Sequence, residues 1–190
     1  MEDMQPLRNT QASTLYWIQP EWGEPIYELR SDDELFCTLR WSTYNEVDPA
    51  SVVSANGQWT LMVDKSSPRT IVQITDLSET VAVCKIGWSL WHTAATVEFV
   101  NGSRFRWYLT DWRRHYWACS SEDVGDLISF KPVSRYIFRL KIQVDLTSRV
   151  KELTEAPLLA AFGMYILHRH TWRLIHLTPG WWWIDLLRKL

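Results

Sequence analysis

The amino-acid sequence predicts a mainly β domain, in which an antiparallel barrel of about 10–12 strands, closed or nearly closed, surrounds a buried apolar C-terminal helix. Short alternating runs of apolar and polar residues, the turn residues between them, and one wholly apolar segment after the last run predict this fold. We expect an N-terminal tail (1–24), a barrel domain (25–168) with its central helix near 155–168, and a Trp-rich C-terminal extension (169–190).

The composition fits one folded domain. The chain has 190 residues, of which 46% are hydrophobic and 22% charged, and this length buries roughly 70% of the unfolded surface. The net charge of −2 provides no general basic field, so no nucleic-acid partner is expected. Three widely spaced cysteines, Cys37, Cys84 and Cys119, indicate buried thiols in a reducing compartment. Residues 1–14 contain no apolar signal-peptide core, and a cytoplasmic location is expected.

Period-two alternation predicts the strands, because successive side chains of a strand point to opposite faces. The clearest case is residues 134–145. Its apolar face is Phe138, Leu140, Ile142 and Val144, and its polar face is Arg139, Lys141, Gln143 and Asp145. Other strands are expected at 26–30, 34–41, 50–55, 58–64, 70–75, 80–86, 95–100 and 104–110.

Two Asn-Gly pairs, Asn56-Gly57 and Asn101-Gly102, each lie between strand-like runs. Both residue types tolerate the positive φ that type I′ hairpins require. Further turns are expected at 76–78 and 120–125. Hairpins at this spacing indicate an antiparallel meander.

Residues 158–167 have no polar face, and a helix that is apolar all round lies in a protein core or in a membrane. As a helix, the apolar run at 156–167 would span about 18 Å, whereas a bilayer core is about 30 Å thick. The run ends at His168-Arg169-His170. The sequence therefore predicts a helix buried by the strands, with Gly163 allowing close approach.

A strand meander followed by a late, wholly apolar helix resembles the tubby-like superfamily, which includes the LURP-one-related proteins and the phospholipid scramblases. The resemblance covers about residues 26–167. It implies a twelve-stranded barrel around a hydrophobic helix, and a lipid-binding or scaffolding role at a membrane face. The chain departs from that pattern in continuing beyond the helix to Leu190.

Candidate headgroup ligands are Arg104, Arg106, Arg139 and Lys141, which alternate outward on two strands. If the strands lay close together, these cations would hold an anionic headgroup. The alternative is a solvated strand face that resists edge aggregation.

Other clusters are weaker. Residues 112–117 interleave arginines with aromatic residues, as single-stranded nucleic-acid sites do, but the cluster is short. His168, His170 and His176 lack further metal ligands at typical spacing, so no metal or cofactor is expected. Trp181, Trp182 and Trp183 are candidates for a membrane interface, or for packing, self-association or a protein partner.

Three functions follow from these patterns. The first is a non-enzymatic tubby-like module that binds anionic phospholipid, or acts as a scaffold, peripherally at a membrane. The second is a barrel that carries a small apolar ligand, which needs an open lumen. The third is an enzyme whose site is assembled from loops, although no catalytic motif is present in the sequence.

Overall fold

The computed structural model describes residues 4–21, 24–32, 34–42, 48–64, 70–76, 79–87, 94–134 and 140–177. These residues form a closed antiparallel barrel of twelve strands, with a C-terminal helix, so the predicted mainly β barrel is confirmed. The strands are β1 (Thr14–Ile18), β2 (Ile26–Ser31), β3 (Glu34–Trp41), β4 (Ala50–Ser54), β5 (Gly57–Asp64), β6 (Thr70–Asp76), β7 (Glu79–Gly87), β8 (Ala94–Phe99), β9 (Arg104–Asp111), β10 (Tyr116–Ser121), β11 (Gly125–Ser134) and β12 (Lys141–Leu146). A short helix α1 (Ser148–Lys151) precedes the long helix α2 (Ala156–Leu177).

Strand β1 closes the barrel by pairing with both β2 and β12. Its register runs from Thr14 opposite Asp145 to Ile18 opposite Lys141. The expectation that residues 1–24 form a tail is therefore wrong for Thr14–Ile18. Leu15 and Trp17 are fully buried in this strand. Their burial, and the pairing of β1 with the edge of β12, explain why these residues form a strand of the barrel.

The strands bury alternate side chains, as the period-two pattern predicted. In β8, for example, Ala95, Val97 and Phe99 are buried while the residues between them are partly exposed. Two strands, β10 and β11, were not predicted. The strand expected at 134–145 is also revised: Ser134 ends β11, β12 begins at Lys141, and residues 135–139 lie outside the described part of the chain.

Helix α2 lies inside the barrel. On one wall, the ring of Trp41 in β3 stacks on Tyr165 and His168, with centroids 5.9 and 4.3 Å apart. On the wall six strands away, Trp107 in β9 packs against Gly163. Every non-glycine residue from Leu158 to Leu167 is at most 3% exposed. The strands therefore enclose the apolar segment.

At Gly163 the helix backbone packs directly against a side chain of the barrel wall. A methyl group at this position would overlap the indole ring of Trp107, which is itself fully buried. The absence of a side chain is therefore what lets the helix and strand β9 approach each other. This contact supports the expectation that a small residue here permits close packing.

The helix is longer than expected. The prediction placed it near 155–168, but α2 continues to Leu177. The histidines at 168 and 170 consequently lie within the helix and do not end it. Both are buried, with Arg169 between them at 2% exposure. Ring stacking and a hydrogen bond, described below, accommodate these polar groups inside the barrel.

The barrel has two ends, which are named here by the direction of α2. At the proximal end, where α2 begins, Asn56 Nδ2 donates to the carbonyl of Thr154 at 3.3 Å, and Asn101 Nδ2 donates to Glu155 Oε1 at 2.9 Å. Both predicted Asn-Gly hairpins thus fasten the start of the helix. The opposite end is the distal end, which contains the β9–β10 turn at residues 112–115.

Candidate functional site

The barrel lumen is occupied by the protein's own helix. The side chains of α2 pack against β2, β3, β9 and β10, and the residues from 156 to 170 other than Gly163 and Pro157 include none above 6% exposure. A barrel that carries a small molecule needs an open lumen instead. The filled lumen argues against the carrier hypothesis and directs attention to the outer surface.

The four predicted headgroup ligands do not form one described site. Arg106 in β9 lies in register with Ser120 and then Asp126, whereas Lys141 in β12 lies opposite Ser134. The eight residue steps from Asp126 to Ser134 along β11 span about 26 Å. Arg106 and Lys141 therefore lie near opposite ends of the wall, and Arg139 lies outside the described residues.

The described members of that set also have local partners. Arg104 Nε lies 2.9 Å from Glu98 Oε1, and Glu98 also meets Lys85 at 3.5 Å. Lys141 Nζ lies 4.4 Å from the ring centroid of Tyr16. The arginines of β9 thus fit the alternative of a solvated strand face, while Lys141 belongs to the distal end. Trp181, Trp182 and Trp183 lie outside the described residues.

The distal end contains a buried polar cluster on α2. Arg169 Nη1 donates to the hydroxyl of Tyr165 at 3.0 Å. Burial lowers the pKa of His168 to about 4, with a further contribution from the Arg169 charge. Burial likewise lowers the pKa of His170 to about 4, with a contribution from His115. Both imidazoles are therefore neutral at pH 7.

The β9–β10 turn lies over this cluster. The ring of His115 is 6.2 Å from that of His170, and the ring of Trp117 is 5.4 Å from it. His115 also adopts a positive φ of 54°, which few residue types other than glycine take up readily. These contacts attach the turn to the helix.

Hydrogen bonds between side chains and the backbone fix the shape of the turn. Asp111 Oδ1 accepts from the N–H groups of Arg113 and Arg114 at 2.9 and 3.2 Å. The Thr110 hydroxyl donates to the carbonyl of Tyr116 at 3.0 Å. A side-chain carboxylate that caps two successive N–H groups is a common turn-forming device. The tip of the turn is therefore held in one geometry.

The tip presents an aromatic ring and two cations to solvent. Trp112 is 46% exposed, which is unusual for so large an apolar side chain. The Arg113 guanidinium lies 5.5 Å from the Trp112 ring centroid, and that of Arg114 lies 5.9 Å from the Tyr116 ring. Such stacking holds both guanidinium groups against the turn.

The neighbouring strands continue this surface. Val133 near the end of β11 is 54% exposed, and Lys141 at the start of β12 is also exposed. Lys131 Nζ instead meets Asp145 Oδ2 at 2.6 Å. This hydrogen bond and ion pair raises the pKa of Lys131. Lys131 is thus engaged within the wall, and the outward cations here are Arg113, Arg114 and Lys141.

The opposite end of the same wall has acidic character. The β10–β11 turn carries Glu122 and Asp123, and Asp126 follows at the start of β11. Asp126 accepts a 2.6 Å hydrogen bond from the Tyr108 hydroxyl, which raises the pKa of Tyr108. In this wall the distal turn thus carries Arg113 and Arg114 beside Asp111, whereas the proximal end combines these three carboxylates with Arg104 and Arg106 of β9.

From the sequence, residues 112–117 are predicted only as a short cluster of the kind found in nucleic-acid sites. The alternation of aromatic and basic residues was visible in the sequence. The exposure of Trp112 and the two stacking contacts could not be read from it, because they depend on the turn that Asp111 organises.

Searches among protein-family models, curated proteins and solved structures found no match to the chain. Among the described residues, no group of three or more His, Cys, Asp and Glu side chains is arranged to hold a metal ion. No helix in the described part of the chain has the length and apolar character needed to cross a membrane.

Proposed function

We propose that the protein is a non-enzymatic module of tubby-like type, related to the LURP-one and scramblase-like barrels, that binds anionic phospholipid at a membrane face. The observation that carries the proposal is the filled lumen: the residues from Leu158 to Leu167 occupy the space that a cargo would need. The ligand surface is therefore external. A lipid surface is a partner that an external, basic and aromatic patch fits.

The order of elements supports the tubby-like assignment. Twelve antiparallel strands precede a late helix that the strands enclose. This order matches the pattern that the sequence resemblance implied, and a meander of this kind keeps every strand beside its chain neighbours.

The cysteines support a cytoplasmic setting for the module. Cys37, Cys84 and Cys119 are all free and buried. Burial raises the pKa of each thiol, so none is a reactive thiolate at neutral pH. Free thiols are typical of reducing compartments. Binding at the cytoplasmic face is also favoured by the anionic lipids of that leaflet.

Flotation of the full chain with vesicles tests the proposal. Vesicles of phosphatidylcholine alone are compared with vesicles that also contain phosphatidylserine, at low and at high salt. We expect flotation only with the anionic vesicles and release by salt, because exposed charges are screened within about 10 Å at 0.1 M ionic strength. A chain that stays in the bottom fraction with anionic vesicles at low salt would contradict the proposal.

A further inference from the structure

We infer that the distal rim, formed by Trp112, Arg113, Arg114, Val133 and Lys141, is the surface that docks onto an anionic phospholipid bilayer. This inference rests on the proposed function and adds to it a binding face and an orientation. The barrel stands with its distal end toward the lipid and its proximal end toward the solvent.

Trp112 is the apolar anchor of the rim. It lies at the tip of the β9–β10 turn with 46% of its surface exposed. Tryptophan favours the boundary between headgroups and acyl chains, where its ring is in an apolar setting and its N–H remains near polar groups. The Asp111 hydrogen bonds hold the turn in shape, so docking does not require the tip to become ordered first.

Arg113 and Arg114 supply the adjacent positive charge. Both are exposed, and each lies beside an aromatic ring of the turn. Arg114 also lies 3.7 Å from Asp111, as a largely solvent-exposed pair. A guanidinium group binds phosphate through two parallel N–H donors. The two cations therefore lie where headgroup phosphates would surround an inserted Trp112.

Val133 and Lys141 widen the rim across two further strands. Trp117 in β10 is paired with Phe130 in β11. Because the two strands are antiparallel, the turn residues that precede Tyr116 lie level with the end of β11 that carries Val133. Lys141 in β12 is paired with Ser134 at that end. The rim thus combines two exposed apolar side chains with three cations, the composition of a peripheral membrane-binding surface.

An acidic turn at the proximal end of the wall supports this orientation. Glu122 and Asp123 occupy the opposite turn of the same wall, and an anionic bilayer repels them. Repulsion of this turn therefore adds to the attraction of the rim, although Arg104 and Arg106 of β9 lie toward the same proximal end and offset part of it.

Two double variants of the full chain with equal loss of charge test the rim by vesicle co-sedimentation. Arg113→Gln/Arg114→Gln removes two cations at the distal end. Arg104→Gln/Arg106→Gln removes two cations from strand β9 toward the proximal end. All four side chains are exposed, so both proteins are expected to fold, and circular dichroism verifies it. Trp112→Ala is a third, uncharged change.

We expect the distal double variant to lose roughly tenfold or more in affinity for phosphatidylserine-containing vesicles, and Trp112→Ala to lose a comparable factor. The proximal double variant should stay within about twofold of the parent. Equal losses in both double variants, or no loss in the distal one, would overturn the rim while leaving lipid binding intact.

A parent chain that binds no anionic vesicle would overturn the proposed function and the rim together. A single-stranded RNA oligomer is included as a competitor. If the parent chain bound the oligomer and not the vesicles, and Arg113→Gln/Arg114→Gln abolished that binding, the surface would be a nucleic-acid site and the lipid assignment would be wrong.

Discussion

The two ends of the barrel differ in what their side chains do. At the proximal end, the side-chain amides of Asn56 and Asn101 donate hydrogen bonds to Thr154 and Glu155 and so hold the start of α2. At the distal end, the turn beside His170 of α2 presents Trp112, Arg113 and Arg114 to solvent. Both ends hold α2 by inward contacts, but among the described turns compared here only the distal one also presents an exposed aromatic ring beside two cations. If the distal rim binds lipid as proposed, the side chains that fasten the start of α2 and those that bind lie at opposite ends of the barrel axis.

The largest expected effect is a fall in the free energy of unfolding on acidification, caused by two histidines at the distal end. His168 and His170 have a pKa of about 4 in the folded protein, against about 6.5 in an unfolded chain. The unfolded state therefore takes up protons first as pH falls. Stability is complete above pH 6.5 and declines as pH falls toward 4, by about 3 kcal/mol for each histidine.

Urea unfolding between pH 7.5 and 4.5 measures this loss, and His170→Gln, which cannot become charged, serves as the comparison. We expect the variant to retain a shallower dependence on pH. An unfolding free energy that is constant across this range would show that the two imidazoles are not buried inside the barrel.

Gly163 lies between the two ends, where the helix packs against Trp107 of β9. Gly163→Leu places a side chain against Trp107, and we expect it to lower the free energy of unfolding by about 3 kcal/mol. Gly87→Ala is the control, because a methyl group there would meet only the carbonyl oxygen of Ala94 at an ordinary 3.7 Å. If Gly163→Leu melted with the parent protein, α2 could not lie against β9.

These contacts also show what the sequence could and could not predict. Alternation and the Asn-Gly pairs predicted most of the barrel, because both are local signals. Strand β1 was missed because a five-residue strand beside a polar N-terminus reads as part of a tail. The predicted C-terminal end of α2 was wrong because His168, Arg169 and His170 resemble a polar helix terminus. Their burial inside the barrel depends on contacts with aromatic rings and with the Tyr165 hydroxyl, which the local sequence does not show.

The candidate site was harder to predict than the fold. The proposed cation set needed β9 and β12 to be close, and their separation is a property of strand order and register that no single strand encodes. Residues 112–117 stood out as a pattern, but their placement beside His170 of α2 depends on pairing between distant parts of the chain.

The proximal fastening can be tested without touching the rim. Asn101→Ala removes the hydrogen bond to Glu155 and the one that Asn101 Oδ1 accepts from the Ser103 N–H. Because both are exposed, we expect a loss of about 1 kcal/mol in unfolding free energy. Vesicle affinity should not change, and a parallel fall in vesicle affinity would contradict the separation of the two ends.

The smallest effect is expected at Glu98. Glu98→Gln weakens the exposed pairs with Arg104 and Lys85, which should change the unfolding free energy by less than about 1 kcal/mol. Thermal melting at low and high salt measures it. A loss of several kcal/mol would mean that this surface network has a structural role that its exposure does not suggest.

The orientation of the barrel on a bilayer is tested most directly by a matched pair of labels on β11 and the turn before it. Val133→Cys and Val124→Cys place single reactive thiols at the distal and proximal ends, since both valines are exposed and the three native cysteines are buried. Each protein carries an environment-sensitive fluorophore and is mixed with phosphatidylserine-containing vesicles. We predict a blue-shifted, brighter emission from the label at 133 and unchanged emission from the label at 124. The reverse pattern, or equal shifts at both positions, would contradict docking through the distal end.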